Sequence, residues 1–164
     1  MMMKNNANDT GMSNGQMPAM NDEKGMMAKG EGDRMMEAYA GAVLAGTKAP
    51  LLDFTEADYN RARQGNKLIV LYFYANWCPI CRVEFPRMQE AFDALATDRA
   101  IGFRVNYNDN ETDEGERALA REFGVAYQHT KVFLKNGVRV LKSPESWNVE
   151  RYGREISAAL AEKQ

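Results

Sequence analysis

The chain has 164 residues, a formal net charge of −2, two cysteines and one histidine. That length fits one domain plus an appendage, and a body of about 110 residues is enough for a hydrophobic core. The charge offers no basic stripe to neutralise phosphates, which excludes a typical nucleic-acid binder, and no apolar run reaches the roughly eighteen residues a membrane span needs.

Residues 1–36 hold ten of the eleven methionines and five glycines, with no branched aliphatic or aromatic residue. Such a segment buries too little apolar surface to fold alone and reads as a disordered, Met-rich tether. It has no signal-peptide apolar region, so the expectation is either a cytosolic protein or a processed form from which an export signal has gone. Thioether sulfurs are soft ligands that select Cu(I), which makes copper capture the alternative to a plain linker. Residues 37–50, from Glu37 through the small-residue run to Pro50, read as a short helix or an extended lead-in. The folded domain is expected over residues 51–164.

Leu51, Leu52 and Phe54 suggest a short first strand. Thr55 then caps a helix through Gln64, with Tyr59 and Ala62 inward and Gly65 as its stop. Leu68 to Tyr74 is rich in β-branched and aromatic residues without polar alternation, which suits a strand buried on both faces. It ends at Asn76 and Trp77, and Cys78 and Pro79 open a helix, proline being tolerated in a first turn whose N–H groups have no intrahelical partner. A CxxC pair at a helix N-terminus is a redox motif, because free backbone N–H groups and the helix dipole stabilise a thiolate. Cys78 is therefore the expected nucleophile, exposed and easily ionised, and Cys81, one turn on, the shielded thiol that resolves a mixed disulfide. A closed zinc site is the competing use of such a pair, but it wants four ligands, more than two cysteines and one histidine supply.

The stretch ANWCPICRVEFP, with Pro86 five residues beyond Cys81, resembles the thioredoxin superfamily. Within it, the cysteine pair followed by a basic residue, a glutamate and a proline is similar to the TlpA-like extracytoplasmic thiol-disulfide oxidoreductases. The resemblance covers about residues 50 to 160 and implies an α/β, thioredoxin-like fold with a central mixed sheet flanked by helices. It also implies disulfide exchange with client proteins, more as reductant than oxidant, and an upstream thiol electron donor. No cofactor is implied beyond the redox-active Cys78–Cys81 disulfide. The protein would be a monomer facing the periplasm or a membrane surface, with a client-binding surface made by Trp77, Pro79, Gln128, His129 and Thr130.

After the motif, the helix is expected from Pro79 to Thr97, with Val83, Phe85, Met88, Phe92 and Leu95 inward and a kink at Pro86. Glu84 lies on the Cys81 face of that helix and is a candidate proton acceptor for Cys81, replaceable by glutamine at little cost in stability. A solvated helix glutamate is the alternative. Tyr72 stands where thioredoxins carry a buried aspartate, so proton handling must differ from theirs, with Glu84 or the Tyr72 phenol in its place.

Ile101 to Tyr107 reads as the next strand, followed by a helix from Thr112 or Asp113 to Phe123 that Gly124 stops. Lys131–Lys135 and Val138–Lys142 flank Asn136-Gly137, a strong hairpin signal. Asn148 to Glu162 closes the chain as an amphipathic helix with Tyr152, Ile156 and Leu160 inward. The expected order is βαβαββα. Counting back from the hairpin puts His129 where the superfamily has a cis-proline facing the cysteines. An imidazole there could assist the thiolate as a cation, complete a metal site with Cys78 and Cys81, or be an idle loop residue. The metal option resembles Sco-type copper proteins and is the alternative function, with Cu(I) as its metal.

Overall fold

The computed structural model describes residues 39–162, so the expectation for residues 1–36 lies outside the described residues. Six strands, β1 Val43–Ala45, β2 Leu51–Asp53, β3 Leu68–Tyr74, β4 Ala100–Asn106, β5 Lys131–Lys135 and β6 Val138–Ser143, make one mixed sheet. The helices are α1 Glu56–Gln64, α2 Pro79–Asp93, α3 Glu114–Glu122 and α4 Val149–Ala161. The strand order is β1-β2-β4-β3-β5-β6, with β3 parallel to β4 and antiparallel to β5.

β3 lies inside the sheet, and its lack of polar alternation follows from having apolar layers on both sides. Leu68, Val70 and Tyr72 face Phe85, Met88 and Phe92 of α2 and Tyr152 and Ile156 of α4. Ile69, Leu71 and Phe73 face Tyr59 of α1 and Leu119 of α3. Two helices thus cover each face, and α2 starts where β3 leaves the sheet at its carboxyl end, the usual place for a site in such folds. β4 passes so close to α2 that a Cβ on Gly102 would lie 2.6 Å from Phe92 Cζ and 2.7 Å from Leu51 Cδ1.

Local signals act as their chemistry predicts. The Thr55 side chain accepts from Asp58 N and caps α1, and Asn148 caps α4 by accepting from Arg151 N. Asp113 and Glu116 form a capping box on α3, and a second oxygen of Glu116 accepts from Asn106 N at 2.7 Å, tying the end of β4 to that helix. Asn136 and Gly137, at φ 52° and 76°, make the left-handed pair that a tight hairpin requires.

Three expectations need correction. The lead-in is extended and its residues 43–45 pair antiparallel with β2, so the order is ββαβαβαββα. The Asp58 carboxylate holds that lead-in by accepting from Ala40 N at 3.1 Å and Gly41 N at 2.7 Å. The motif helix ends at Asp93, short of Thr97, with Leu95 beyond it. Val83, expected inward, is 56 % exposed, whereas Glu84 beside it is buried; at 100° per residue, the inward face that carries Cys81, Phe85 and Met88 takes in position 84 and excludes 83.

Candidate active site

Cys78 is the N-cap of α2, and its sulfur accepts from Cys81 N at 3.2 Å, the bond an N-cap side chain makes to a free first-turn amide. The turn before it is fixed from two sides. Asn76 N donates to Asp109 Oδ2 at 2.9 Å, and Arg82 Nη2 donates back to the Asn76 carbonyl at 2.8 Å. Trp77 lies outside, 49 % exposed, with its indole N–H on the Asn108 carbonyl at 3.0 Å. Pro79 takes the first helical position, also exposed.

Cys81 is fully buried, as expected of the resolving thiol, but Cys78 is only 1 % exposed, so the expectation of an exposed nucleophile fails. The Cys78 sulfur is turned back into its own helix start to satisfy Cys81 N, away from water. Burial first, then the hydrogen bond to Cys78, push the Cys81 thiol up to about 11. The Tyr72 hydroxyl lies against Cys81 without a well-directed hydrogen bond. Burial, followed by the nearby Glu84 charge, raises its pKa far beyond the ordinary range. The phenol therefore stays protonated and can act beside Cys81 as a donor only.

Glu84 is no solvated helix glutamate. Its Oε1 accepts from Lys131 Nζ at 2.5 Å, Tyr152 Oη at 2.7 Å and Trp147 N at 3.1 Å, while Oε2 is buried without a partner. Lys131 is wholly buried and also donates to the Glu145 carbonyl. Its ammonium lies 5.0 Å from the Trp147 ring centroid and 5.7 Å from that of Tyr72. Burial lowers the Lys131 pKa, and the Glu84 carboxylate opposes that shift. Glutamine at position 84 would thus strip a buried ammonium of its counter-charge, so the expectation of a nearly neutral substitution does not hold.

Lys131, Trp147 and Tyr152 were not singled out as site residues from the sequence. One signal was available for Lys131: in β5 it shares a face with Phe133, the face packed on α2 and α4. The β3–β5 register sets Lys131 directly opposite Tyr72.

His129 arrives at the cysteines as expected: one ligand atom each from Cys78, Cys81 and His129 lie within 4.8 Å of one another. The residue has φ 53°, a left-handed backbone that histidine adopts more readily than most side chains. Its amide donates to the Phe73 carbonyl at 2.6 Å, and Phe73 N donates to the Thr130 carbonyl at 3.0 Å, which clamps this loop to the end of β3. Burial, then the Lys131 charge, lower the imidazole pKa below its usual value. That shift works against a cation assisting the thiolate.

Gln128 is half-buried beside it, and the buried Thr130 turns its hydroxyl back onto the Tyr127 carbonyl at 2.7 Å. Ile80, Val83, Trp77 and Tyr127 are exposed large apolar side chains. Along the outside of α2 a groove of about 320 Å³ is lined by Pro79, Ile80, Val83, Glu84, Arg87 and Ser146. Chemically, the arrangement is a dithiol one helical turn apart, with an imidazole beside it and a paired, buried carboxylate on the same helix.

The description "AhpC/TSA family" matches residues 43–137. Thioredoxin H4 of Arabidopsis thaliana is 34% identical over 85 residues, 52% of this chain and 66% of that protein. Thioredoxin of Malassezia sympodialis is 30% identical over 87 residues, 51% of this chain and 77% of that protein. The match thus reaches just under two thirds of the plant relative's length. Among solved structures, Trxlp from Edwardsiella tarda superposes with a TM-score of 0.55 at 21% identity, over 65% of this chain and 97% of that one, a likeness of fold. The chain belongs to the AhpC/TSA family, within the thioredoxin superfamily.

Proposed function

We propose that the protein is a thiol-disulfide oxidoreductase that reduces disulfides in client proteins, with Cys78 as nucleophile and Cys81 as resolving thiol. The observation that carries this reading is the pair itself, Cys78 at the N-cap and Cys81 one turn inward at the end of a buried strand. The Cys78 thiolate attacks one sulfur of a client disulfide, forms a mixed disulfide and expels the other client sulfur as a thiolate, which takes up a proton. Cys81 then gives up its proton, with Glu84 as the proposed acceptor, and attacks the Cys78 sulfur. The second client thiol leaves with that proton, and the chain is left as the disulfide. An upstream thiol donor supplies two electrons to restore it.

We read the reductant direction from the same chemistry. A strongly oxidising dithiol is one whose reduced form is stabilised as a thiolate. Cys81, held neutral by burial, adds no such stabilisation of its own, which is compatible with a reductant. The exposed Trp77, Ile80, Val83 and Tyr127 offer an apolar seat for a polypeptide client. Pro79, Gln128, His129 and Thr130 border the sulfurs in this reading. By its glutamate and proline after the pair, the protein belongs with the TlpA-like group and works as a monomer outside the cytoplasm; among the described residues no helix is long and apolar enough to cross a membrane.

The test is insulin reduction together with trapping. Cys81→Ser should accumulate a mixed disulfide at Cys78, and Cys78→Ser should trap nothing and lose turnover. A reduction potential near −270 mV, roughly that of thioredoxin, supports a reductant, and one near roughly −120 mV reverses the direction. A second reading, Sco-like copper assembly, is favoured by one observation, the approach of His129 to both sulfurs.

A further inference from the structure

Polar atoms without partners are rare in protein interiors, and the Tyr72 hydroxyl is one: the residue is wholly buried and its oxygen has no hydrogen-bond partner in the resting fold. Its ring is held firmly, with Phe85 at 5.9 Å and Tyr74 at 6.5 Å between centroids and the Lys131 ammonium 5.7 Å from its own. The register of β3 with β5, which sets Tyr72 opposite Lys131, brings the hydroxyl to rest against the Cys81 sulfur. A hydroxyl hydrogen rotates to suit its neighbour, so this phenol can turn its O–H to that sulfur on demand. A second donor reaches the same atom. The backbone of Ala75 bonds to the Cys81 sulfur in the sense that favours an anion, which is the work of its N–H; its carbonyl accepts from Cys78 N at 3.1 Å.

We propose that the Tyr72 hydroxyl is a catalytic hydrogen-bond donor in the resolving step, forming with the Ala75 N–H a two-donor seat for the Cys81 thiolate that attacks the mixed disulfide. This rests on the exchange reading and adds a residue to it. In the dithiol, the hydrogen bond between the two sulfurs keeps the Cys81 proton in place. Once Cys78 is bonded to a client sulfur it has no charge to share, and Cys81, fully buried, has to ionise away from water. Donors already in position beside a developing anion act there without reorganisation and count for more than they would in water. The phenol keeps its own proton throughout and gives only a hydrogen bond. As the Cys78–Cys81 bond forms, the Cys78–client bond breaks; the client sulfur leaves with that bond's electron pair and takes up a proton, and the chain ends oxidised by two electrons relative to the dithiol. A hydroxyl whose partner exists only partway through a reaction stands unpartnered in the resting fold, as this one does.

The reduced full chain is mixed by stopped flow with dithiobis-nitrobenzoate, a disulfide whose coloured thiolate is released once when Cys78 attacks and again when Cys81 resolves. Tyr72→Phe should release the first equivalent at the parental rate and the second at least about tenfold more slowly. Its melting temperature should match or exceed the parent's, because the deleted hydroxyl has no partner in the resting fold. Tyr59→Phe removes another buried, unpartnered hydroxyl, on the opposite face of the sheet, and should leave both rates at parental values. A parental second rate in Tyr72→Phe, equal slowing of its two steps, or the same slowing in Tyr59→Phe would each overturn the proposal. So would a melting temperature several degrees below the parent's, which would make the hydroxyl a part of the fold. The two readings fail separately: a parent that releases both equivalents, with Tyr72→Phe indistinguishable from it, sinks the donor seat alone, whereas a parent that never releases the second has no resolving step and sinks the exchange reading.

Discussion

At the scale of single residues, the Lys131–Glu84 pair is the feature with the largest energetic consequence. Removing either member leaves a buried charge unpaired, which typically costs about 3–5 kcal/mol. Glu84→Gln and Lys131→Met should each lower the unfolding free energy by about that amount, and the double variant should recover much of the loss; urea denaturation of all four proteins reads the coupling. Small effects that add in the double variant would mean that the charges are screened. The thiols give a pH prediction with a definite sign. Cys81 is held neutral up to about 11 against an ordinary 9.0, so between those values the unfolded chain has lost a proton that the folded chain still binds. Reduced protein should thus lose about 2–3 kcal/mol relative to the disulfide form as pH rises from about 9 to about 11, the tyrosines being common to both. Parallel stability curves for the two redox states would contradict the buried-thiol account.

At the scale of elements, β4 and α2 meet at Gly102, where any side chain enters the Phe92 ring and Leu51. Gly102→Ala should destabilise by about 1–3 kcal/mol, read as a lower denaturation midpoint with an unchanged slope. Most elements were legible in the sequence because each has a local cause: Thr55, Asp113 and Asn148 as caps, Asn136-Gly137 as a hairpin turn, and β3 as an apolar run. β1 was not, since Val43–Ala45 is a strand only by pairing with β2, and a three-residue edge carries no periodicity of its own. The site divides in the same way. Cys78, Cys81 and His129 could be placed from spacing and resemblance, whereas Lys131 and the burial of Cys78 depend on register and side-chain direction, which a lone strand or helix does not disclose.

At the scale of the whole molecule, the described residues 39–162 carry the sheet, both apolar layers and the site. A chain beginning at Glu37 should therefore keep its melting temperature and its rate of insulin reduction, and a loss of several degrees would show that residues 1–36 pack on the domain. The shielding of both sulfurs has a further consequence, in the chemistry of damage. Oxidation of a thiol beyond the sulfenic acid needs a second oxidant molecule to reach the same sulfur, and susceptibility follows exposure. Cys78 is 1 % exposed and has Cys81 beside it, so a sulfenic acid formed there meets the neighbouring thiol before it meets more peroxide. Treated with excess hydrogen peroxide, the chain should lose two hydrogens to its disulfide, with no cysteine carrying two added oxygens in its mass spectrum, and a reductant should restore full activity. The fold would thereby make its own oxidative injury reversible.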